Sequence, residues 1–382
     1  MIRSLPSEKQ TQSRLAPYTL SKFSGSSTNS RPAETQWVRT RNENVNPADR
    51  KLALLKKSGV FSSDTKGCSI ERACTLSELR AAYALVHDVF VGTGYIRPES
   101  GGLRLRVYEA CPDTATFVAK KNGVVVGVLS VVLDSPELGL PSDVAFKTEL
   151  DVLRKTGARL CEVTNQAVAR EYRRSALLTE LMRCATAYML DIRCDRAIAT
   201  VSPNHTGFYK FVGFDQLGTE RSYSQELHDP VVALCGDLSQ LEKAPSDFSS
   251  GAEEYVFNFM TQANRFRVLA GEWSRRAQQH FLSADLLKGL FLNQRNFLSE
   301  CSLSELLHLR NSWGGELFDV VWASSTSELF PGSALFNASR SPAIKSRSET
   351  RGAWAGFKNV FRNCFSFDFS SLDSADMAMD KN

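Results

Sequence analysis

A chain of 382 residues, 42% of them hydrophobic, has room for one or two domains with a real core, and its net charge of +4 demands no bulk polyanion, so no nucleic acid partner is expected. It contains neither an apolar run of about eighteen residues nor a signal-peptide core, which makes a cytoplasmic protein the expectation. The nine cysteines are scattered and never form C-x-x-C, so they read as reduced thiols rather than a disulfide frame, and no metal site is expected.

Residues 1–65 are rich in Ser, Thr, Asn, Arg and Lys and poor in aromatics, the composition of a disordered arm. An Arg- and Ser-rich, acid-poor stretch of this kind also fits an organellar transit peptide. Within it only residues 51–57 (KLALLKK) have the spacing of a short amphipathic helix. The folded domain is expected over residues 67–238. Residues 68–73 read as a first strand. Residues 76–90 have helical spacing at Leu79, Tyr83, Val86 and Phe90, with Thr75 or Ser77 as N-cap.

The irregular stretch 92–102 follows, with two glycine clusters; a loop of this length in a compact domain points to function. Residues 116–120 and 124–133 form a hairpin across Asn122 and Gly123, and residues 144–153 a short helix. Residues 159–168 then read as a buried strand and 175–191 as a helix whose apolar stripe runs from Ala176 to Ile192. Residues 196–201 are another apolar strand. After it Pro203 and Asn204 open a short helix that Gly213 ends, with strands at 214–218 and 231–237. A strand, a basic turn and a helix make an anion site in principle, because free N–H groups and the helix dipole face the turn.

The string N-x-x-x-F-Y-x-x-x-G-F from Asn204 to Phe214, placed after the second strand, resembles the GNAT family of acyltransferases. Residues 89–96 (VFVGTGYI), 100–108 (SGGLRLRVY), 112–119 (PDTATFVA), 134–141 (DSPELGLP) and 162–165 (EVTN) together resemble the long-chain N-acyl amino acid synthases, a group also similar to the acyl-homoserine-lactone synthases. The resemblance covers roughly residues 67–238. It implies an α/β GNAT fold: a mixed, mostly antiparallel sheet whose central parallel pair splays apart. A bulge in the earlier strand frees N–H groups at Ala167, Val168 and Ala169 to polarise a thioester carbonyl, and the donor's pantetheine arm lies in the gap.

The implied chemistry is attack of an amine on an acyl thioester, with no cofactor held by the protein. Glu162, a carboxylate in an apolar strand, is the candidate base, weighed against a structural ion pair. Tyr209 is the candidate proton donor to the leaving thiolate, weighed against a core aromatic. Asn165 is assigned to donor or acceptor. Arg173, Arg174 and Ser175 are assigned to the donor; Asn204 is placed there too, though it reads more naturally as a helix cap. His205 reads as a solvated first-turn residue. On the acceptor side Arg104, at the family's Gly-x-Arg position, would take an amino acid's carboxylate, with Arg97 second and Tyr108 either binding or packing. Phe90, Tyr95 and Phe117 line an acyl tunnel or an ordinary core.

The turn departs from the coenzyme A-binding pattern Q/R-x-x-G-x-G/A: Ala176 stands at its first glycine and Leu178 at its second small position. The co-substrate is therefore expected to be acyl-phosphopantetheine on an acyl carrier protein, with acyl-CoA as the other choice. Arg170, Arg173, Arg174, Arg183, Arg193 and Arg196 offer a docking face for an acidic carrier, or a solvated basic surface. Beyond the domain, residues 250–322 read as a helical appendage, with Val256 to Phe281 in one periodic run and peripheral membrane contact as one use. Residues 323–382 read as a mostly disordered, Ser-rich tail. The expected activity is transfer of a long-chain acyl group to the amine of a free amino acid. A coenzyme A-dependent acetyltransferase, a lactone-type signal synthase using S-adenosylmethionine, and an inactive GNAT-fold binding module are the alternatives.

Overall fold

Asn122 and Gly123 close the first hairpin with positive φ at both positions (50° and 81°), the left-handed pair that a two-residue turn between twisted strands requires. The turn joins β2 (Ala115–Lys121) to β3 (Val124–Leu133) in antiparallel register, with Lys121 opposite Val124. In the computed structural model, which describes residues 46–62, 64–173, 175–223, 230–280, 283–292 and 297–327, β1 (Ser69–Arg72) extends the hairpin on its outer side. With β4 (Leu160–Val168), β5 (Arg196–Val201), β6 (Phe214–Ser222) and β7 (Pro230–Asp237), these strands form a seven-stranded sheet of order β1-β2-β3-β4-β5-β7-β6. Among the described residues every pairing is antiparallel except β4 with β5.

Alternate strand residues feed two cores, because successive side chains point to opposite faces of a sheet. Phe117 packs edge-on against Tyr188 of α4 (Leu177–Asp191), whereas Val118 joins Leu79, Ala82 and Val86 of α2 (Leu76–Thr93). α2 begins on a reciprocal Thr75–Glu78 capping box and ends at left-handed Gly94 (φ 78°), so its start and stop are both local to the sequence. α3 (Asp143–Lys155) and α5 (Thr206–Phe211) lie close to their predicted bounds. Gly127 of β3 is held small by packing: a Cβ there would lie 3.2 Å from both Ala119 Cβ and Leu181 Cδ1 of α4.

The flanks of the sheet domain depart from the sequence reading. Residues 47–57, assigned to the disordered arm, form α1 (Pro47–Lys57), with Leu52 and Leu55 buried. α1 docks because it has a partner the local sequence does not reveal: Asp49 Oδ1 accepts the Ala252 N–H at 2.7 Å, capping α6 (Gly251–Met260). Residues 1–45 and 328–382, most of the arm and of the tail, lie outside the described residues. Residues 323–327 of the tail end a helix.

The apolar run from Val256 to Phe281 is two helices, α6 and α7 (Arg267–His280), rather than one. Asn264 breaks it. Its side-chain amide donates to Arg183 O (2.8 Å) and Met260 O (2.9 Å), and its Oδ1 accepts the Phe266 N–H. α1, α6 and α7 enclose α4, so Arg183 is buried on an ion pair to Glu180 and a bond to Ala263 O and takes no part in a docking face. α8 (Ala284–Phe291), α9 (Leu303–Trp313) and α10 (Gly315–Ser327) pack on α2 instead. Arg80 donates to Gly289 O at 2.9 Å and Trp313 Nε1 to Ala110 O at 2.8 Å. Among the described residues no helix is long and apolar enough to cross a membrane.

Trp313→Phe keeps an aromatic side chain, though a smaller one, and orphans the Ala110 carbonyl. It should lower unfolding stability by about 1–2 kcal/mol in urea titrations without changing the fold seen by circular dichroism.

Candidate active site

β4 and β5 pair in parallel from Leu160↔Arg196 to Val163↔Ala199 and then part. Chain geometry at the divergence explains why. On its other side β4 faces β3 with Ser130↔Thr164 followed by Val128↔Ala167, so Asn165 and Gln166 together stand opposite Leu129. An extra residue of this kind bends its strand and ends pairing beyond it. Asn165 carries the bend at φ 53°, a left-handed conformation that asparagine tolerates better than most residues.

Buried hydrogen bonds hold it there. Asn165 Nδ2 donates to Glu109 Oε1 (2.9 Å) and Ser130 Oγ (3.3 Å), and its Oδ1 accepts from Arg106 Nη2 (3.4 Å). Ser130 in turn meets Thr116, and Thr116 meets the Tyr83 hydroxyl. Glu109 is 2% exposed; burial opposes its charge, yet Arg106 holds its carboxyl below the usual range. Burial likewise works against the Arg106 charge, and Glu109 more than offsets it. The Arg106 guanidinium spans Glu109 at 2.6 Å (Nη2–Oε1) and 3.3 Å (Nε–Oε2).

The opened pair frames a cavity enclosing about 1000 Å³, open mouth included, and its lining contains Glu162, Asn165, Gln166, Tyr209, Arg104 and Arg106. Glu162 sits on the last paired stretch of β4, 3% exposed, between Val132 and Ile198. Burial raises its pKa to about 7; the Ser142 N–H, donating to Oε2 at 2.8 Å, and Arg106 pull it back only in part. Its carboxylate has no direct ion pair among the described residues. Tyr209 projects from α5 and donates its hydroxyl to Gln166 Oε1 at 2.7 Å; burial raises its pKa and keeps it a neutral phenol. Gln166 Nε2 faces the same cavity with no hydrogen-bond partner.

Of the N–H groups expected to polarise a carbonyl, Ala169's donates to Val126 O at 2.9 Å and is spent on β3. Alternation along an antiparallel ladder puts Ala167 on that same side and turns Val168 toward the gap, so Val168 alone of the three is directed at it. Arg173 lies outside the lining and donates from Nε to Val168 O at 3.2 Å. Ser175 is buried, its hydroxyl bonded to Tyr172 O. Arg174 is outside the described residues. Asn204 is exposed and neither caps α5 nor lines the cavity.

On the acceptor side Arg104 lines the cavity, its Nη1 3.4 Å from Glu99 Oε1 and its buried Nε without a partner. Arg97 is exposed outside it. Tyr108 packs beneath Arg106 with its hydroxyl toward Leu138 O at 3.5 Å. Phe90 and Tyr95 are lining residues in edge contact at 5.8 Å. Phe117 belongs to the opposite core, between Tyr188 and Trp273, and lines no tunnel.

Sequence reasoning missed Arg106, Gln166 and Tyr223 and misread His205. Tyr223 reaches in from the end of β6, its hydroxyl donated to Pro141 O (3.0 Å) and its pKa pushed up by burial to about 12. His205 is half-buried on the cavity wall, and desolvation pulls its pKa down to about 4, so it is a neutral imidazole near pH 7. The sequence offered one signal for Arg106, which stands two positions from Arg104, and both line the cavity. Nothing local marked Tyr223. Among the described residues no three His, Cys, Asp or Glu side chains gather as a metal site.

A mixed sheet with one parallel pair opened by a bulge, and with Glu162 and Tyr209 lining the opening, is the architecture that the resemblance to GNAT acyltransferases implies. Residues 81–237 match the family model described as N-acyl amino acid synthase FeeM, as the sequence resemblance implies. Among solved structures, FeeM from uncultured soil microbes is 23% identical over 45% of this chain and 93% of its own, with a TM-score of 0.40. The acyl-homoserine lactone synthase LasI is 16% identical over 45% and 89% (TM-score 0.36), and the coenzyme A-dependent acyl-homoserine lactone synthase BjaI 17% over 56% and 99% (0.36). No curated protein matches the chain.

Two outcomes follow from this geometry. Asn165→Ala removes both the left-handed preference and the bonds to Glu109 and Ser130, and should cost about 2–4 kcal/mol in denaturant unfolding. Glu162 titrates near 7 in the folded chain against an ordinary 4.5, so the native state binds the extra proton between those values. Its contribution is complete below pH 4.5 and is lost as pH rises through 7. Glu162→Gln should therefore flatten stability between pH 5 and 8, and at pH 8 exceed the parent by up to about 3 kcal/mol.

Proposed function

We propose that the domain transfers a long-chain fatty acyl group from the phosphopantetheine thioester of an acyl carrier protein to the amine of a free amino acid. The observation that carries this reading is Glu162, a buried carboxylate with a pKa near 7 at the vertex of the β4–β5 gap. A pKa there lets one group hold and release a proton at neutral pH, which a base acting on an ammonium requires.

The donor's arm extends β4 in the gap, and its thioester carbonyl accepts the Val168 N–H. The Arg104 guanidinium, whose buried Nε is unpartnered, takes the acceptor's carboxylate, with Arg106 adding positive charge alongside. Glu162 removes a proton from the ammonium, directly or through one water. The free amine attacks the carbonyl carbon, the C–N bond forms and the C–S bond breaks. Tyr209, kept neutral by burial, gives its proton to the departing thiolate, and the second proton that the attacking nitrogen sheds as the amide forms restores the phenol. Gln166, which now accepts that hydroxyl, keeps its other amide donor for the substrate. Phe90, Tyr95 and Ile96 supply the apolar wall for the acyl chain.

A carrier protein is favoured over coenzyme A by Ala176 and Leu178, whose side chains crowd the turn that would otherwise admit a diphosphate. Of the docking face, Arg170 and Arg193 are exposed and Arg173 is half-buried, whereas Arg183 is internal, Arg196 pairs with Asp237 and Arg174 lies outside the described residues. Peripheral membrane contact in the cytoplasm, where a lipid product collects, would fall to Leu303 and Leu307, the exposed apolar residues of α9.

Overexpression followed by mass spectrometry of extracted lipids tests the reading. New N-acyl amino acids are expected, reduced about 100-fold or more by Glu162→Gln and lost with Arg104→Ala. Their rate of formation should rise with pH through 7 as Glu162 deprotonates. An unaltered lipid profile together with turnover of acetyl coenzyme A on small amines would replace this reading with the ordinary acetyltransferase.

A further inference from the structure

The Glu162 carboxylate takes a hydrogen bond from a backbone group that lies outside the central strands. The donor is the Ser142 N–H, 2.8 Å from Oε2, and Ser142 is fully buried with its hydroxyl against Thr200 Oγ1 of β5. Ser142 ends the loop, residues 134–142, that joins β3 to α3. A loop amide stays on a buried acceptor only while the loop itself is held, because loops have few packing contacts of their own.

One side chain closes this loop at both ends. Arg154, in the last turn of α3, meets Asp143 at 2.7 Å (Nη1–Oδ1) and 2.6 Å (Nη2–Oδ2), and Asp134 at 2.8 Å (Nε–Oδ2) and 2.9 Å (Nη2–Oδ1). A planar guanidinium can make both two-point contacts at once, which an ammonium cannot. Asp134 continues the sheet by donating its N–H to Leu160 O at 3.1 Å, and Asp143 Oδ2 accepts the Leu140 N–H at 2.6 Å. Between them Gly139 turns the chain at φ 65°, where a Cβ would collide with the Asp143 carboxylate. Tyr223 adds a tie from the far side, its hydroxyl donated to Pro141 O at 3.0 Å. Asp151 also reaches Arg154 Nη1 at 2.9 Å, so one cation balances three carboxylates behind the base.

We infer that Arg154 is a positioning residue for the proton transfer: by tying Asp134 to Asp143 it keeps the Ser142 amide on Glu162 and offsets the Asp143 charge beside the base. The inference rests on the reading of Glu162 as the base in acyl transfer and extends it to a side chain that does not line the cavity. The Ser142 bond lowers the Glu162 pKa and the Asp143 charge raises it, so loss of Arg154 acts in one direction through both. The other charged or titratable groups that face Glu162 are Arg106 and Tyr108, from the segment beside Glu109, and Tyr223 from beyond β6, while Arg104, His205 and Tyr209 line the same cavity. All of these remain when Arg154 is replaced.

Carbon-13 NMR of the full chain labelled at glutamate Cδ follows the Glu162 titration without any turnover, with Glu162→Gln identifying its signal. The parent midpoint should lie near 7. Arg154→Gln should raise it by about one pH unit, and Arg154→Lys, which keeps the charge and loses the two-point contacts, by about half a unit. Arg154→Lys carries the test if Arg154→Gln unfolds. In assays of N-acyl amino acid formation, Arg154→Gln should be about fivefold slower than the parent at pH 7 and within about twofold of it at pH 9, with the acceptor KM unchanged. A midpoint unmoved in the folded variants, or a rate loss equal at every pH, would overturn the positioning role and leave the acyltransferase reading standing. The expected midpoint shift in a chain that forms no N-acyl amino acid would overturn that reading alone.

Discussion

The structure depends on one left-handed asparagine. A β-strand that adds a residue at a buried position must bend, and the bend persists only if its polar groups are satisfied away from water. Asn165 meets both conditions because Glu109 and Ser130 take its amide and Arg106 meets its carbonyl oxygen. Without them β4 would have no reason to leave β5 after Val163, and the gap would close. The same bonds fix Arg106 against Glu109 with its guanidinium on the cavity wall, so the device that opens the sheet also charges one side of the opening.

Glu162 and Glu109 show how one small region holds two buried carboxylates in different states. Both are almost without solvent contact. Glu109 has a guanidinium against both oxygens and stays ionised; Glu162 has one backbone N–H and a more distant Arg106, so desolvation prevails and its pKa rises to about 7. Environment alone separates the two, leaving Glu109 ionised and Glu162 able to exchange a proton near pH 7.

The segments outside the sheet domain are integral to it. α1, α6 and α7 close over α4, α8 to α10 close over α2, and the stretch leading into β1 is pinned against the start of α4. Two cores are thereby completed by chain that the family match does not include. Their charged members serve burial: the Glu180–Arg183 pair, with Arg265 on the second Glu180 oxygen, ties α4 to the α6–α7 junction.

Within the sheet domain the sequence by itself determined the elements and their order, because strand alternation, the Asn-Gly turn, the Thr75–Glu78 box and the Gly213 stop are all read from neighbours a few residues apart. It also marked Glu162, Tyr209, Asn165 and Arg104, since a polar residue within an apolar strand or a motif stands out locally. Tertiary structure alone decided the rest. Arg106 is distinguished from Arg104 by Glu109 and Asn165, one of them 59 positions away; Tyr223 and His205 reach the cavity through strand order; and Arg183 is lost to solvent because α6 and α7 cover it. The folding of residues 47–57 followed the same rule. A helix of that composition is stable only where another surface buries Leu52 and Leu55, and that surface lies some two hundred residues further along the chain.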